Sequence, residues 1–248
     1  MKSKTTRKRL DVLLVERGLA ETRQKAQAMI LAGEVSVDGL RAQKAGAPAN
    51  AGAHIKVTSR LQKYASRGGL KLEGALEDFG IDVAGFTCMD VGSSTGGFTD
   101  CLLQHGAARV YAVDVNARQL SWKLQPDPRV VQIERNARQL HRSDVPEAVD
   151  LVVIDVSFIS VTKVLPPAVA IAKPGAQFLV LVKPQFELRR QDVGPGGIVT
   201  DSALHQKAIA SVKTEAQAEG LQCYGARPSR LQGAGGNQEF FLHARKSS

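Results

Sequence analysis

From Phe86 onward the chain alternates short apolar segments with helix-like segments, and this alternation restricts the possible fold more than any other feature. The apolar segments have the length and composition of strands, and they read TCMDVG, ARVYAVDV, RVVQIE, DLVVIDVS, AQFLVLVK, LQCYGARP and EFFLHAR. Helices are predicted between them at 97–104, 161–171 and 204–219. Strands that alternate with helices are joined by right-handed crossovers and form a largely parallel sheet. We therefore predict an α/β fold.

A glycine-rich turn, DVGSSTGGF (Asp90–Phe98), follows the first of these strands and opens a predicted helix. Glycines let the backbone approach a ligand closely, and the start of a helix offers free N–H groups. The turn has neither the dinucleotide spacing G-x-G-x-x-G nor the phosphate-loop spacing G-x-x-x-x-G-K. The next strand ends at Asp114, 24 residues after Asp90, where a carboxylate suits a ribose diol. A lone glycine turn is common, but the combination predicts a nucleoside cofactor.

Two charged residues close apolar strands, Asp155 in LVVIDVSF and Lys183 in FLVLVKP. The carboxyl ends of parallel strands meet at one edge of a sheet, which is where ligands bind. Lys71 precedes the first strand, and Glu239 opens the last strand, which we expect to run antiparallel and therefore to start at this edge. Any one of these residues alone would fit a surface ion pair, but all four together predict a site.

The first quarter of the chain carries nearly all of the excess positive charge. Residues 1–63 contain 13 Lys and Arg against 5 Asp and Glu, whereas the remainder contains 20 against 19. A basic module beside a near-neutral domain suggests a polyanionic partner, and a solubilising tail is the alternative. Helical periodicity in RLDVLLVERGLAETRQKAQAMILAGEVSVDG predicts two helices, the second capped by Thr22, and short strands follow at EVSVDG and HIKVTS.

Other features limit the class of protein. The three cysteines form no C-x-x-C pair, and the histidines show no spacing typical of metal ligands, so we expect reduced thiols and no metal. No apolar run approaches the ~20 residues that span a membrane, and no signal peptide is recognisable. We expect a cytoplasmic protein that does not bind membranes, and the oligomeric state is left open.

The basic segment resembles the RNA-binding domain first seen in the fourth protein of the small ribosomal subunit. The resemblance rests on RLDVLLVERGLAETRQKAQAMILAGEVSVDG, and it implies that the partner of this segment is RNA. It implies RNA contacts at Arg9, Arg23, Lys25 and Gln27. Further RNA-binding candidates are Arg7, Lys8, Arg41 and Arg67. We predict an RNA-binding domain at 1–60, a linker at 61–66 and a second domain at 67–248.

The second domain resembles the FtsJ/RrmJ-like methyltransferases through SRGGLKL, DVGSSTGGFTDCLLQ, VDV, DVSFIS, LVKPQFE and GNQEF. The whole chain resembles the hemolysin A (TlyA-type) family of rRNA 2′-O-methyltransferases. This resemblance implies a Rossmann-like sheet, S-adenosylmethionine as cofactor, and methylation of cytidine ribose in rRNA. It implies a catalytic tetrad of Lys71, Asp155, Lys183 and Glu239. It implies cofactor contacts at Asp90, Gly92, Ser93, Ser94, Gly96, Gly97, Phe98, Asp114, Val115, Asn136, Ala137 and Asp155.

In this interpretation Lys183 is the central catalytic residue. A lysine can take the proton of a ribose hydroxyl as a general base, or it can stabilise the alkoxide as a cation. We expect Asp155 and Glu239 to orient Lys183, and Lys71 to position the ribose or a phosphate. The long segment 185–201 is a candidate lid. The alternatives are a non-catalytic RNA-binding or ribosome-associated factor and a membrane-active hemolysin, and the lack of an apolar insertion element disfavours the latter.

Overall fold

The structure is a computed structural model that describes residues 7–31, 33–57 and 63–247. The chain divides into two units, residues 1–62 and 63–248. The division falls inside the predicted linker 61–66, of which residues 61 and 62 lie outside the described part of the chain. Residues 63–66 belong to the second unit, where the backbone N–H of Ala65 donates to Asp100 Oδ2 at 2.7 Å and Tyr64 is buried.

Unit 1 is a small α+β unit built on two helices. Leu10, Leu13 and Leu14 recur at helical spacing and pack against Met29 and Ile30 of the second helix. As predicted, Thr22 caps the second helix, because its Oγ1 accepts from the backbone N–H of Lys25 at 3.1 Å. The elements are β1 (Arg7–Arg9), α1 (Leu10–Glu16), α2 (Arg23–Leu31), β2 (Val35–Val37), β3 (Leu40–Arg41), β4 (Pro48–Asn50) and β5 (Ile55–Val57). Strand β1 pairs with β4, and β2 pairs with β3 and β5, all antiparallel.

Unit 2 contains one seven-stranded sheet with helices on both faces. Its elements are α3 (Gly68–Phe79), β6 (Thr87–Val91), α4 (Gly97–Gln104), β7 (Arg109–Asp114), β8 (Val130–Glu134), β9 (Val149–Ile154), α5 (Leu165–Ile171), β10 (Ala172–Val182), α6 (Pro184–Glu187), α7 (Ser202–Ala218), β11 (Leu221–Pro228) and β12 (Phe240–Lys246). The strand order is β11-β12-β10-β9-β6-β7-β8. Strand β12 runs antiparallel to both of its neighbours, and the pairs from β10 through β8 are parallel. The predicted α/β fold, with its last strand antiparallel, is confirmed.

The central strands are buried on both faces, which explains why they read as continuous apolar runs. Alternate residues face opposite layers: Val152 and Ile154 of β9 pack in the layer that includes α5 and α7, whereas Leu151 and Val153 pack in the layer that includes α3 and α4. The predicted helix at 161–171 is divided. A single 3₁₀ turn at 161–163 comes first, and α5 begins at Leu165, because two prolines at 166 and 167 lack N–H groups and are tolerated only in a first turn.

The sheet topology brings four chain segments to one edge. Val91 of β6 lies opposite Ile154 of β9, so the segments that follow these two strands start side by side. Strand β10 is parallel to β9 and ends at Val182, and Val182 pairs with Phe240 at the start of β12. This edge therefore holds the glycine turn, Asp155, Lys183 and Glu239.

Candidate active site

The four predicted catalytic side chains form two ion pairs. Lys183 Nζ lies 2.5 Å from Asp155 Oδ1, and Lys71 Nζ lies 2.6 Å from Glu239 Oε2. The side chains of Lys183 and Asp155 are 9% and 22% exposed, and those of Lys71 and Glu239 are 12% and 3% exposed. Glu239 therefore contacts Lys71 and not Lys183, which corrects the expectation that both carboxylates orient Lys183. Nearly buried charges need such partners, because an unpaired charge is strongly disfavoured there.

Lys183 also donates a hydrogen bond to Ser157 Oγ at 2.8 Å. Its Nζ is also in direct ion-pair contact with Asp155 Oδ1 at 2.5 Å, a buried oxygen of that carboxylate. The ammonium group is thus held by one hydroxyl and one carboxylate, both on the segment that follows β9.

A cavity of about 300 Å³ lies in front of the Lys183–Asp155 pair. Its lining includes Lys71, Asp155 and Lys183 together with Gly92, Ser93, Ser94, Gly97 and Phe98 of the glycine turn, and Arg67 at the start of α3. It also includes Ser157, two positions after Asp155. The other lining residues, Ser66, Gly68, Thr95 and Gln232, are absent from the sequence prediction of site residues. Ser66, Gly68 and Thr95 are chain neighbours of predicted residues, whereas Gln232 lies in a loop with no motif that marks it.

The glycines of the turn are required by close packing. Gly92 has φ +86°, and a Cβ there would overlap the backbone oxygen of Asp155. A Cβ on Gly97 would overlap Ser66 Oγ and touch the backbone at the start of α3. The turn therefore sits directly against both the Asp155 segment and the Lys71 helix, which only a residue without a side chain permits.

Asp114 ends β7 beside this turn and holds the loop backbone. Its Oδ2 accepts from the N–H of Ser94 at 2.9 Å, and its Oδ1 accepts from the N–H of Asn116 at 3.0 Å. Each oxygen keeps a second acceptor position, which is compatible with a bound diol. Val115, the next predicted contact, is 66% exposed.

Several predicted cofactor residues lie outside the cavity lining, namely Asp90, Gly96, Asp114, Val115, Asn136 and Ala137. Gly96 supports the turn from behind, where a Cβ would overlap Leu120 and Leu124. Asn136 Oδ1 accepts from the N–H of Arg138 at 3.1 Å and so fixes the turn after β8. Ala137 packs at the margin of the α5 and α7 layer.

Asp90 is fully buried behind the turn. Thr99 Oγ1 donates to its Oδ2 at 2.6 Å, and its Oδ1 has no hydrogen-bond partner among the described residues. Burial raises the pKa of Asp90 to about 7, and the hydrogen bond from Thr99 opposes that rise. A buried oxygen without a donor marks a position that a ligand donor could complete.

This pKa predicts a pH-dependent stability for the ligand-free protein. An aspartate in an unfolded chain titrates near pH ~4, so between that pH and about 7 the folded state binds more protons than the unfolded state. The stabilisation is complete below the unfolded pKa and is lost as the pH rises towards the folded pKa, by at most about 1.4 kcal/mol per pH unit. Asp90→Asn keeps an acceptor for Thr99 but does not titrate. We expect urea unfolding near pH 5 and pH 8 to show a smaller loss of stability in Asp90→Asn than in the wild type, and an equal loss would contradict the pKa.

The loop that carries Glu239 is tied to the candidate lid at 185–201. Asn237 Oδ1 accepts from the N–H of Val199, and Asn237 Nδ2 donates to the carbonyl oxygen of Gly197, both at 2.9 Å. Gly233 closes the same loop, and a Cβ there would overlap the carboxylate of Glu239. The lid segment is thus bonded to a residue two positions before Glu239.

The RNA-binding candidates do not form a single cluster, and one of them belongs to unit 2. Arg9, Arg23 and Gln27 surround Asp11 in unit 1. Lys8 pairs with Glu16 at 2.8 Å on the surface. Arg7, Lys25 and Arg41 are exposed. Arg67 instead lies in unit 2, in the lining of the cavity.

No helix within the described ranges is long and apolar enough to cross a membrane. Within those same ranges, no group of three or more His, Cys, Asp or Glu residues is arranged to hold a metal ion.

Comparison with known proteins matches both units to families. The model of the FtsJ-like methyltransferase family matches residues 64–246, and that of the S4 domain matches residues 8–55. The 16S/23S rRNA (cytidine-2′-O)-methyltransferase TlyA of Mycobacterium tuberculosis (strain H37Rv) is 49% identical over 241 residues, which cover 96% of this chain and 90% of that protein. Hemolysin A of Brachyspira hyodysenteriae is 41% identical over 237 residues, covering 95% and 98% of the two chains. A solved structure from Streptococcus thermophilus that carries a hemolysin name superposes with a TM-score of 0.76 at 41% identity, and it covers 98% of this chain and 90% of its own.

Proposed function

This chain belongs to the FtsJ-like methyltransferase family, and we propose that it methylates the ribose 2′-hydroxyl of cytidine in ribosomal RNA. The proposal rests on two ion pairs, Lys183–Asp155 and Lys71–Glu239, which lie at the edge of the sheet beside the glycine turn. A relative that is 49% identical is named for this reaction. The S4 domain supplies RNA binding.

The residues of the turn fit S-adenosylmethionine, which supplies the methyl group when bound. Gly92 and Gly97 line the cavity and let the turn pack closely against the Asp155 segment and α3, and Asp114 has acceptor positions for a ribose diol. We assign cofactor binding to this turn and to Asp114, with Val115, Asn136 and Ala137 farther along the same edge.

Lys183 is placed to act on the substrate hydroxyl. Its side chain is almost buried, it lines the cavity, and Asp155 and Ser157 fix the position of Nζ. An ammonium group held in this way stabilises the negative charge that develops on the ribose oxygen as its proton leaves. Positioning of the hydroxyl supplies a further part of the rate.

Lys71 and Arg67 are placed to bind the sugar–phosphate backbone. Both line the cavity and lie in or just before the first turn of α3. Glu239 holds Lys71 in place through a hydrogen bond of 2.6 Å. A lysine and an arginine beside the reacting ribose provide the cationic contacts that position RNA without reading its sequence.

Phe158 provides a surface on which a nucleobase can stack. Its ring is 89% exposed and lies 5.4 Å from the ring of Phe186, measured between centroids. Its φ of +68° is unusual for a residue with a side chain. It follows Asp155 by three positions, next to Ser157 of the cavity lining. An exposed aromatic ring at this point is suited to hold a base that has left its helix.

The proposed function is tested with the purified chain, labelled S-adenosylmethionine and unmodified ribosomal subunits. We expect label in rRNA, and digestion to nucleosides should give 2′-O-methylcytidine by mass spectrometry. Label on a base, or on a nucleotide other than cytidine, would contradict the proposed substrate. Lack of any cofactor binding by calorimetry would instead favour a non-catalytic RNA-binding factor.

A further inference from the structure

Asp11 is a fully buried carboxylate in the first turn of α1, in unit 1. It accepts four hydrogen bonds from three side chains. Arg9 donates from Nε to Oδ1 at 3.0 Å and from Nη2 to Oδ2 at 2.9 Å. Arg23 and Gln27, one helical turn apart on α2, donate to Oδ2 at 3.2 and 2.8 Å. These three donors are also predicted RNA contacts.

Only the acid of this cluster is buried, and its arginine partners are exposed, which is unusual for a simple ion pair. The side chain of Asp11 is 0% exposed, whereas those of Arg9 and Arg23 are 52% and 56% exposed. The hydrogen bond from Arg9 holds the pKa of Asp11 well below its usual range, although burial opposes this. The carboxylate is therefore charged and lies beneath two guanidinium groups that face solvent.

Most of the donors on these guanidinium groups are not used within the protein. A guanidinium has five N–H donors. Within the described residues, Arg9 uses two of them on Asp11 and Arg23 uses one. The remaining donors form a patch with two positive charges above one negative charge, and guanidinium groups of fixed orientation bind phosphate in a bidentate manner.

We propose that Asp11 is a positioning residue that holds Arg9, Arg23 and Gln27 as one preformed phosphate-binding patch. Flexible arginines lose rotamer freedom when they bind, and a patch that is already ordered avoids part of that loss. This inference rests on the proposed function only in that the partner is ribosomal RNA. It adds a role for a buried acid that does not itself touch RNA.

A purely electrostatic role of Asp11 and a positioning role predict opposite changes in RNA affinity for Asp11→Asn. The substitution makes the chain more positive by one charge, so a purely electrostatic role predicts equal or tighter RNA binding. Loss of the charged acceptor frees both arginines, so positioning predicts weaker binding. Glu16→Gln is the matched control, because Glu16 is another α1 acid, but it pairs with Lys8 instead of an arginine, is 45% exposed and lies outside the patch.

The experiment uses full-length protein and fluorescently labelled rRNA fragments that the wild type binds, with anisotropy measured at several salt concentrations. We expect the Kd of Asp11→Asn to rise by about tenfold, with Glu16→Gln unchanged or tighter. The kcat at saturating RNA and cofactor should stay near the wild-type value in both variants. An Asp11→Asn variant that is folded by circular dichroism and binds as tightly as the wild type would overturn the proposal.

A second variant keeps the test decisive if Asp11→Asn unfolds unit 1. Arg23→Lys retains the charge at a half-exposed position but lacks the planar fork that bonds to Asp11. We expect weaker binding by about threefold or more for Arg23→Lys, whereas the reciprocal Lys56→Arg, at an exposed position of β5 in the same unit, should bind at least as tightly as the wild type. Equal affinity of Arg23→Lys and wild type would overturn the proposal. Failure of the wild type to methylate rRNA would count against the proposed function and not against the positioning role.

Discussion

Replacing Lys183 with methionine is expected to lower kcat for rRNA methylation by about 10²–10⁴-fold, the range found when a proton-transfer or oxyanion-stabilising group is removed. Methionine keeps the length and most of the volume of the side chain but removes the charge that Asp155 and Ser157 hold at the cavity. The loss should appear in single-turnover rates at saturating cofactor and RNA. Cofactor affinity by calorimetry should change much less than kcat, because Lys183 is not itself a predicted cofactor contact, although its partner Asp155 is.

Lys173→Met is the matched control for this experiment. Lys173 lies on the same strand, β10, and its Nζ is 2.6 Å from Asp150 Oδ1, but the two side chains are 45% and 28% exposed and lie at the opposite end of the strand. We expect wild-type kcat for Lys173→Met. A Lys183→Met enzyme with near wild-type kcat would exclude Lys183 from the chemical step.

Lys183→Arg separates the two roles that the sequence leaves open. Arginine keeps a positive charge but cannot act as a base, because it stays protonated in proteins. Partial activity of this variant would favour stabilisation of the alkoxide by charge. Activity as low as that of Lys183→Met would favour direct proton transfer to Nζ.

Removal of Glu239 is expected to damage both stability and activity. Glu239→Leu leaves the ammonium group of Lys71 almost buried and without its partner, and breaking a buried ion pair from one side destabilises by about 3–5 kcal/mol. Some of this loss is relieved, because Lys71 is 12% exposed and water can reach it. The free energy of unfolding from urea titration and the methylation rate should both fall.

The double variant Lys71→Met/Glu239→Leu separates these two effects. Replacing both charges with apolar groups of similar volume is often neutral for stability, so we expect the double variant to recover most of the lost unfolding free energy. Methyl transfer should not recover, since the cationic contact for the ribose or phosphate is gone. A stable double variant with wild-type activity would reduce the pair to a structural role.

The exposed pair Arg109–Glu147 provides the comparison for stability. Its atoms are 2.7 Å apart, but its side chains are 48% and 41% exposed. Exposed pairs contribute about 0–1 kcal/mol, so Glu147→Gln should change stability far less than Glu239→Leu. The contrast checks that burial, and not the mere presence of an ion pair, gives the Lys71–Glu239 contact its importance.

Much of the fold and part of the site could be predicted from sequence, because a strand or helix that is buried has a recognisable pattern of apolar residues along its own sequence. Strands such as LVVIDV and FLVLVK are apolar throughout since both faces of the sheet are covered, and the charged residue that ends each strand marks the edge. Asp155 and Lys183 were found in this way. The last strand and its Glu239 were found as well, but their partner was not.

The partner of Glu239 could not be read from sequence because Lys71 lies 168 positions away. Only the antiparallel return of β12 beside β10 and the position of α3 bring these two residues together. Gln232 was missed for the same reason, since it enters the cavity from a loop without a motif. Asp90 was expected among the cofactor contacts, and the structure places it behind the turn against Thr99.

The sequence by itself determined the α/β fold, the two family matches and the residues at the strand ends, because these depend on hydrophobic periodicity and on short motifs in continuous segments. Only the tertiary structure decided that the four catalytic candidates are two separate ion pairs, and that Arg9, Arg23 and Gln27 share one buried acid. The physical reason is that hydrogen bonds and ion pairs depend on distances of about 3 Å between side chains. Distances between segments far apart in the chain are fixed by packing and leave no local pattern.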